Sequence, residues 1–501
     1  MKKLYITTPL YYVNDEPHIG HAYTTILADV IARIYKLQNY DVFFLTGTDE
    51  HGQKVQDAAL KRNVKPKQHV DEYVLRFKKV WKKLNIDYDD FIRTTDKRHT
   101  DRVKEVLNNL KNNGDIYLDE YEGFYSVSEE RFITEKEAED GSFREIKILK
   151  EKNYFFKMSK YKKRLVEHIK SHPEFIKPQK RKNEILGFLD KDLNDLCISR
   201  PKSRLSWGIE LPFDENYVTY VWFDALLNYI TAIGYNSNEN QFNKYWPADI
   251  HLMAKDILTT HCVYWPTMLM ACNIELPKTI LSHGWWLIEE QKMSKSIGNA
   301  IKPLDLADKY GVDALRYYLM RNMVLGHDSS FSLDSFIERY NSDLANDYGN
   351  LVNRIFMLLD KFFKNKIPQP GQYDTTDLNL IAQTKSSIKI IKTNFDNLKI
   401  HDGIENSMSI FRSINKFLEV KEPWKTAKND CNPKSESATT LYICTEILRI
   451  GTSTLFPIMP TKTQNVLNSL NIKNNLDTTF GLLEHGKSIK SIKNIFPRII
   501  L

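Results

Sequence analysis

The sequence predicts an α/β chain: a parallel sheet flanked by helices, split by an inserted unit, and followed by an all-α bundle. Three observations predict it. The first hundred residues alternate strand and helix patterns, a middle stretch changes to short alternating segments, and from about residue 345 strand signals give way to long helical patterns. In order, "KKLYITTPL" reads as a buried strand, and residues 20–38 follow as an amphipathic helix with Ile26, Val30, Ile34 and Leu37 at helical spacing. "DVFFLTGTDEHG" is a second strand ending in a polar turn, and "QKVQDAALKRN" is helical. This order predicts parallel strands joined by helical crossovers, with ligands at the C-terminal strand ends. His18, His21, Asp49 and His51 all fall there.

Between about 115 and 210, segments such as "YEGFYSVSEERF" read as strands of an insertion. "NYVTYVWFDALLNYITAI" is then a strand running into a helix, and "DIHLMAKDI", "HCVYWPTMLMA" and "KTILSHGWWLI" resume the strand–helix order. "NDYGNLVNRIFMLLDKFF", "HDGIENSMSIFRSINKFLEV" and "TTLYICTEILRIGTSTLF" are long helical patterns of a bundle.

Composition bounds the function class. Of 501 residues, 42 % are hydrophobic and 27 % charged, ordinary for a globular protein. The net charge of +7 suits a nucleic-acid partner and equally a lysine-rich enzyme without one. No run of 18 apolar residues predicts a membrane span, and the N-terminus lacks a signal-peptide core. The five scattered cysteines include no C-x-x-C pair, which predicts a reducing, cytoplasmic setting and no disulfide framework.

"HIGH" at His18–His21 stands at a strand-to-helix turn, where free N–H groups and a partial positive charge attract phosphate. Gly20 lets a flat base approach the backbone, and the imidazoles can donate to phosphoryl oxygens. Alone, the tetrapeptide reads more readily as two surface histidines. "KMSKS" at Lys292–Ser296 follows the last strand of the sheet. Lys292 and Lys295 on such a loop can neutralise a pentavalent phosphate, although one lysine-rich pentapeptide is also a common solvated run. Together, these two motifs in one α/β sheet with a helical bundle after it resemble the class I aminoacyl-tRNA synthetases.

"PLYYVNDEPHIGH", "GTDEHG", "YVWFDALLNY", "AKDI…HCVYWP", "KMSKS", "NLVNR" and "EPWK" occur in the order found in methionyl-tRNA synthetases, over nearly the full length. The resemblance implies a Rossmann-type catalytic domain with a connective insertion and a helical-bundle anticodon-binding domain. The implied segments are 1–114 and 211–290 (catalytic halves), 115–210 (connective), 291–345 (KMSKS loop and stem-contact linker) and 346–501 (anticodon-binding). It implies ATP, with Mg²⁺ on its phosphates, at His18, Gly20, His21, Lys292, Ser294 and Lys295. It places methionine against Pro9, Leu10, Tyr12, Asp49, Trp222, Ala225, Tyr229, His261 and Trp265. Asp49 corresponds to the carboxylate that holds the ammonium group, and Arg200 and Asp256 to a positioning ion pair. Asn350, Arg354 and Trp424 correspond to anticodon readers, and the partner is tRNA(Met).

The residue chemistry agrees with a methionine site, since aromatic walls suit a polarisable thioether. Core packing explains Trp222, Trp265 and Trp424 equally well, and a solvated turn explains Asp49. Residues 115–190 hold no cysteine, so the zinc knuckle of many family members is expected to be absent here. The chain ends without the dimerising domain of other members, and a monomer is expected. The alternatives are another class I synthetase of the aliphatic subgroup, a small-molecule nucleotidylyltransferase, or a catalytically inactive tRNA-binding protein. The first lacks room for a long editing insertion, the second leaves the bundle without a purpose, and intact HIGH and KMSKS oppose the third.

Overall fold

The computed structural model describes residues 2–126, 131–133, 138, 146–288, 291–292, 301–472, 477–492 and 494–500. The chain forms two compact units. The first comprises Met1–Pro17, Asn39–Lys82 and Ile86–His283, and the second His18–Gln38, Lys83–Asn85 and Gly284–Leu501.

Strands of the first unit are, in chain order, β1 (Lys3–Thr7), β2 (Tyr11–Tyr12), β3 (Asp41–Asp49), β4 (Asp90–Arg93), β5 (Ile116–Ser126), β6 (Arg131–Ile133), β7 (Ile146–Phe156), β8 (Ile176–Lys177), β9 (Leu196–Cys197), β10 (Ser199–Pro201), β11 (Glu210–Leu211), β12 (Asp214–Thr219), β13 (Ile250–Ala254) and β14 (Ile280–His283). Seven of them form one sheet in the order β2-β3-β1-β13-β14-β8, with β4 also on β3. Every pairing in this sheet is parallel, as the alternating strand and helix patterns predict. Its strands are buried nearly end to end, which is why they read as continuous apolar runs. One core joins Tyr5, Leu45, Ile92 and Met253 of the sheet to Val103 and Leu107 of helix Lys97–Asn112, and to Trp265 and Met268 of helix Trp265–Ala271.

Two features differ from the sequence reading. The strand in "NYVTYVWF" does not join the parallel sheet. It is β12, paired antiparallel with β10 and β11. Only two residues separate β11 from β12, and so short a connection permits antiparallel pairing alone. Ile176–Lys177, in the stretch read as an insertion, pair in parallel with β14 at the edge of the main sheet. The rest of that stretch holds the long antiparallel ladder of β5 and β7, and β9 pairs with β7 in turn.

The second unit starts with helix α1 (Ile19–Leu37) and continues with β15 (Trp286–Ile288), β16 (Gln291–Lys292) and β17 (Ser329–Ser330). Helices follow at Pro303–Tyr310, Val312–Asn322, Leu333–Arg339, Leu351–Phe363, Thr375–Asp396, Ile400–Lys421, Pro423–Asn429, Glu436–Leu455 and Pro460–Ser469. A π-helical stretch, Tyr340–Asn350, runs directly into Leu351–Phe363. Start signals in the sequence do their expected work: Asp374 and Ser435 cap helices through side-chain oxygens, and Pro423 and Pro460 sit at first helical positions. Gly451 sets the approach of two long helices, because a Cβ there would stand 2.7 Å from the Phe411 ring. No helix among the described residues is long and apolar enough to cross a membrane.

Candidate active site

His18 is the N-cap of α1, in extended backbone. Its Nδ1 accepts from the Gly20 N–H at 3.0 Å, and His21 Nδ1 accepts from the His18 N–H at 3.3 Å. Two imidazoles thus form the reciprocal box that Ser and Glu usually make. The rings stack at 3.8 Å between centroids and 21° between planes. An imidazole nitrogen that accepts carries no proton, so each neutral ring has its N–H on Nε2. The helix start therefore holds two N–H donors of fixed tautomer beside its own backbone amides. Gly20 has a steric role as well: a Cβ would stand 2.9 Å from Cε1 of His18 and displace the ring.

The structure also relates the two signature motifs. The Ile19 N–H donates to the Ile301 carbonyl at 3.1 Å, so the segment after KMSKS returns to the first residue of α1. On the other side of the motif, Lys292 pairs with Leu287 in the β15–β16 hairpin, and Trp286 packs edge-on against Tyr23 of α1 at 5.9 Å. Ser294 and Lys295 lie outside the described residues.

In the first unit, the residues expected around methionine cluster at the C-terminal side of the sheet. Asp49 is the last residue of β3, buried, in register with Tyr12 of β2. Tyr12 meets Trp222 edge-to-face at 6.1 Å and 82°. Pro9 is buried and Leu10 half-buried just before β2, and Ala225 is buried one helical turn beyond Trp222. Tyr229 lies near both Trp265 and His261, each 5.8 Å away between ring centroids. Its hydroxyl bonds His261 Nε2 at 2.8 Å, and His261 Nδ1 donates to the Ile257 carbonyl at 2.9 Å. The carbonyl can only accept, so Nε2 is the bare nitrogen and Tyr229 is the donor. Burial pushes His261 down to about 4, so it is neutral, and raises the Tyr229 phenol.

Behind this wall stands a residue the sequence reading missed. His251 of β13 accepts from Trp265 Nε1 at 3.2 Å, and its Nδ1 bonds Thr7 Oγ1 at 2.8 Å. It lies 4.3 Å from the Tyr229 ring, and burial holds it well below the ordinary histidine range. Arg200 is buried, donates to the Ser199 carbonyl at 2.7 Å and lies 4.6 Å over the Tyr220 ring. Asp256 is exposed on the short turn Lys255–Ile257.

The turn after β3 is held from three directions. Arg93 grips Glu50 with two hydrogen bonds of 2.7 and 2.9 Å, and Thr48 and Thr95 donate to the same carboxylate. Trp207 Nε1 donates to the Glu50 carbonyl. His51 and His99 reach opposite oxygens of the buried Asp224 carboxylate at 2.9 and 3.3 Å, and these contacts hold that carboxyl below its usual range against the cost of burial.

Residues 4–142 and 141–356 match the family model of class I tRNA synthetases (M), and 367–500 that of the anticodon binding domain of methionyl tRNA ligase. The methionine–tRNA ligase of Clostridium acetobutylicum is 44 % identical over 99 % of this chain and 78 % of its own. That of Caldanaerobacter subterraneus is 42 % identical over 99 % and 79 %. The chain belongs to the methionyl-tRNA synthetases. The Mycobacterium tuberculosis methionyl-tRNA synthetase in complex with methionyl-adenylate superposes on it with a TM-score of 0.95 and 38 % identity, covering 99 % of this synthetase and all of that chain.

In the helical part of this synthetase, Asn350 is exposed and Arg354 lies one turn further. The Arg354 guanidinium sits 4.4 Å over the half-buried Trp424 ring, so the NLVNR and EPWK motifs meet on neighbouring helices. Among the described residues, no group of three histidine, cysteine or acidic side chains is arranged to hold a metal ion.

Proposed function

We propose that Asp49 and the aromatic wall of Tyr12, Trp222, Tyr229 and Trp265 hold L-methionine, while His18 and His21 stabilise charge on the phosphates of ATP. The enzyme is a methionine–tRNA ligase of class I, which forms methionyl-adenylate and passes the methionyl group to tRNA. One observation carries the assignment of roles: the two stacked imidazoles at the start of α1 both accept through Nδ1, which places the proton of each neutral ring on Nε2.

A methionine carboxylate oxygen attacks the α-phosphorus, the bond to the bridging oxygen breaks and pyrophosphate leaves. The terminal ribose hydroxyl of tRNA then attacks the methionyl carbonyl, and AMP leaves. ATP enters as its Mg²⁺ complex, which is substrate. The Nε2–H groups of His18 and His21 with Lys292, Ser294 and Lys295 donate to the phosphates where negative charge grows, so they lower the barrier more than they tighten ground-state binding, and Gly20 lets the flat base of ATP approach the backbone. Asp49 accepts from the methionine ammonium, Pro9, Leu10 and Ala225 border the side chain, and Arg200 with Asp256 positions the amino acid. Tyr229 is oriented by its bond to the neutral His261.

Asn350, Arg354 and Trp424 read the anticodon of tRNA(Met), since splayed bases bind on aromatic faces and guanidinium planes. The segments 1–114, 115–210, 211–290, 291–345 and 346–501 act as catalytic half, connective insertion, catalytic half, loop and stem contact, and anticodon reader. The enzyme works as a cytoplasmic monomer, and its connective insertion carries no zinc because 115–190 lacks thiols. Attachment of labelled methionine to tRNA(Met), dependent on ATP and abolished by omitting tRNA, tests the overall reaction; no labelled tRNA from a folded, tRNA-saturated preparation contradicts it.

A further inference from the structure

We propose that Arg316 is a positioning residue for adenylate formation, acting through Asp29 on the helix that begins with His18 and His21. This rests on the phosphate role of those histidines given above.

Arg316 lies on helix Val312–Asn322 and is fully buried, as is Asp29. A guanidinium has five N–H donors in a rigid fork. Here they reach five acceptors: Asp29 Oδ2 at 2.6 Å and the carbonyls of Ile458 at 2.8, Pro457 at 3.0, Leu84 at 3.2 and Asn85 at 3.3 Å. These acceptors come from all three stretches of chain that make up the second unit. Arg33 strengthens the node, donating to Asp29 at 2.8 Å and to the Asn85 carbonyl at 3.0 Å.

The node fixes α1. Asp29 stands eleven residues after His18, about 16 Å along a helix that rises about 1.5 Å per residue. Its N-terminal end is tied separately, by the Ile19–Ile301 hydrogen bond. Two such points determine both the axial position and the rotation of α1, and so the direction in which Nε2 of His18 and His21 points. Pro457 and Ile458 follow the long bundle helix Glu436–Leu455, so the same guanidinium registers α1 against the bundle. A buried ion pair is a poor source of net stability, since apolar residues of similar volume often serve as well. A five-acceptor fork shared by three chain segments is suited to fixing geometry.

The test is pyrophosphate exchange normalised to active sites titrated by the adenylate burst, so that unfolded protein does not count. Arg316→Lys keeps the charge and loses the fork. It should lower the rate per active site about tenfold to a hundredfold, the loss typical of a displacement near 1 Å, with methionine affinity unchanged. Arg33→Ala, which leaves Arg316 in place, should lower it about threefold and covers the case in which Arg316→Lys does not fold. In a His18→Ala/His21→Ala background, either change should cost about twofold or less, because the groups being positioned are gone. An unaltered rate per active site in both variants overturns the proposal, as does a full, multiplicative loss in the double-histidine background. If instead His18→Ala/His21→Ala alone leaves exchange intact, the histidine reading itself fails.

Discussion

The guanidinium of Arg354 lies 4.4 Å over the ring of Trp424, joining a helix that follows a π-helical stretch to one that begins at Pro423. Arg354 covers the indole from one side, and both residues are half-buried. Such a pair is worth about 0.5–1 kcal/mol in itself. Base stacking adds roughly 1–3 kcal/mol per base.

Trp424→Ala should therefore leave methionine activation nearly unchanged and lower tRNA charging efficiency about tenfold to a hundredfold. Trp424→Phe should recover part of the loss, and Arg354→Ala should act in the same direction. Charging and pyrophosphate exchange measured on one preparation separate the readings. Equal loss in both, or a lowered melting temperature, makes Trp424 a packing residue.

His18→Ala and His21→Ala each remove one Nε2–H donor and half of the helix cap. Loss of one donor to a developing anionic centre costs about 3 kcal/mol, roughly a hundredfold in rate. The rate of adenylate formation should fall by that order, with methionine dissociation constants changed little, because the two donors act on charge that develops on the phosphates in the transition state. Stopped-flow fluorescence resolves the two quantities. A change in methionine affinity with an unchanged rate contradicts the assignment.

His261 gives a pH dependence of defined sign. Burial lowers it to about 4, so the folded protein stays neutral there while the unfolded chain takes up a proton near the ordinary value of about 6.5. The stability it contributes is complete above about pH 6.5 and is lost as pH falls toward 4, by about 3 kcal/mol, with His251 acting in the same direction. Urea midpoints should be flat from pH 8 to 7 and decline below 6.5. His261→Asn should start lower and decline less steeply. A wild-type midpoint that rises on acidification to pH 5 rules this out.

Metal analysis of purified enzyme should find no stoichiometric zinc, and chelator should not shift its melting temperature. Residues 115–190 offer no thiol, and the described part of the insertion is held by packing: Tyr154 lies against Phe213 and Tyr217 at 5.1 and 5.4 Å and donates to Asp214. One tightly bound zinc per chain would refute this.

The parallel sheet was legible because buried strands leave unbroken apolar runs, and α1 because Ile26, Val30 and Ile34 repeat at helical spacing. Asp49 was legible from its place at the end of β3. What escaped are partners distant in sequence. Arg93 reaches Glu50 across 43 residues and Asp224 reaches His51 across 173, and nothing local marks either pairing. Nothing local marks His251, which accepts from Trp265 Nε1 across 14 residues. The short hairpin that turns β12 away from the main sheet was hidden because "NYVT" has a strand pattern in either sheet. Arg316 lies in a helix buried from Asp313 to Arg321, and only the fold reveals its five acceptors.

The most direct test of the account is pyrophosphate exchange by the purified enzyme with each of the twenty amino acids in turn, with ATP and Mg²⁺. The aromatic wall proposed for the thioether predicts exchange with methionine, and far slower exchange with leucine, isoleucine, valine and cysteine, at rates that fall in parallel when His18 or His21 is replaced. Comparable exchange with one of those four amino acids, or none with methionine, would contradict it.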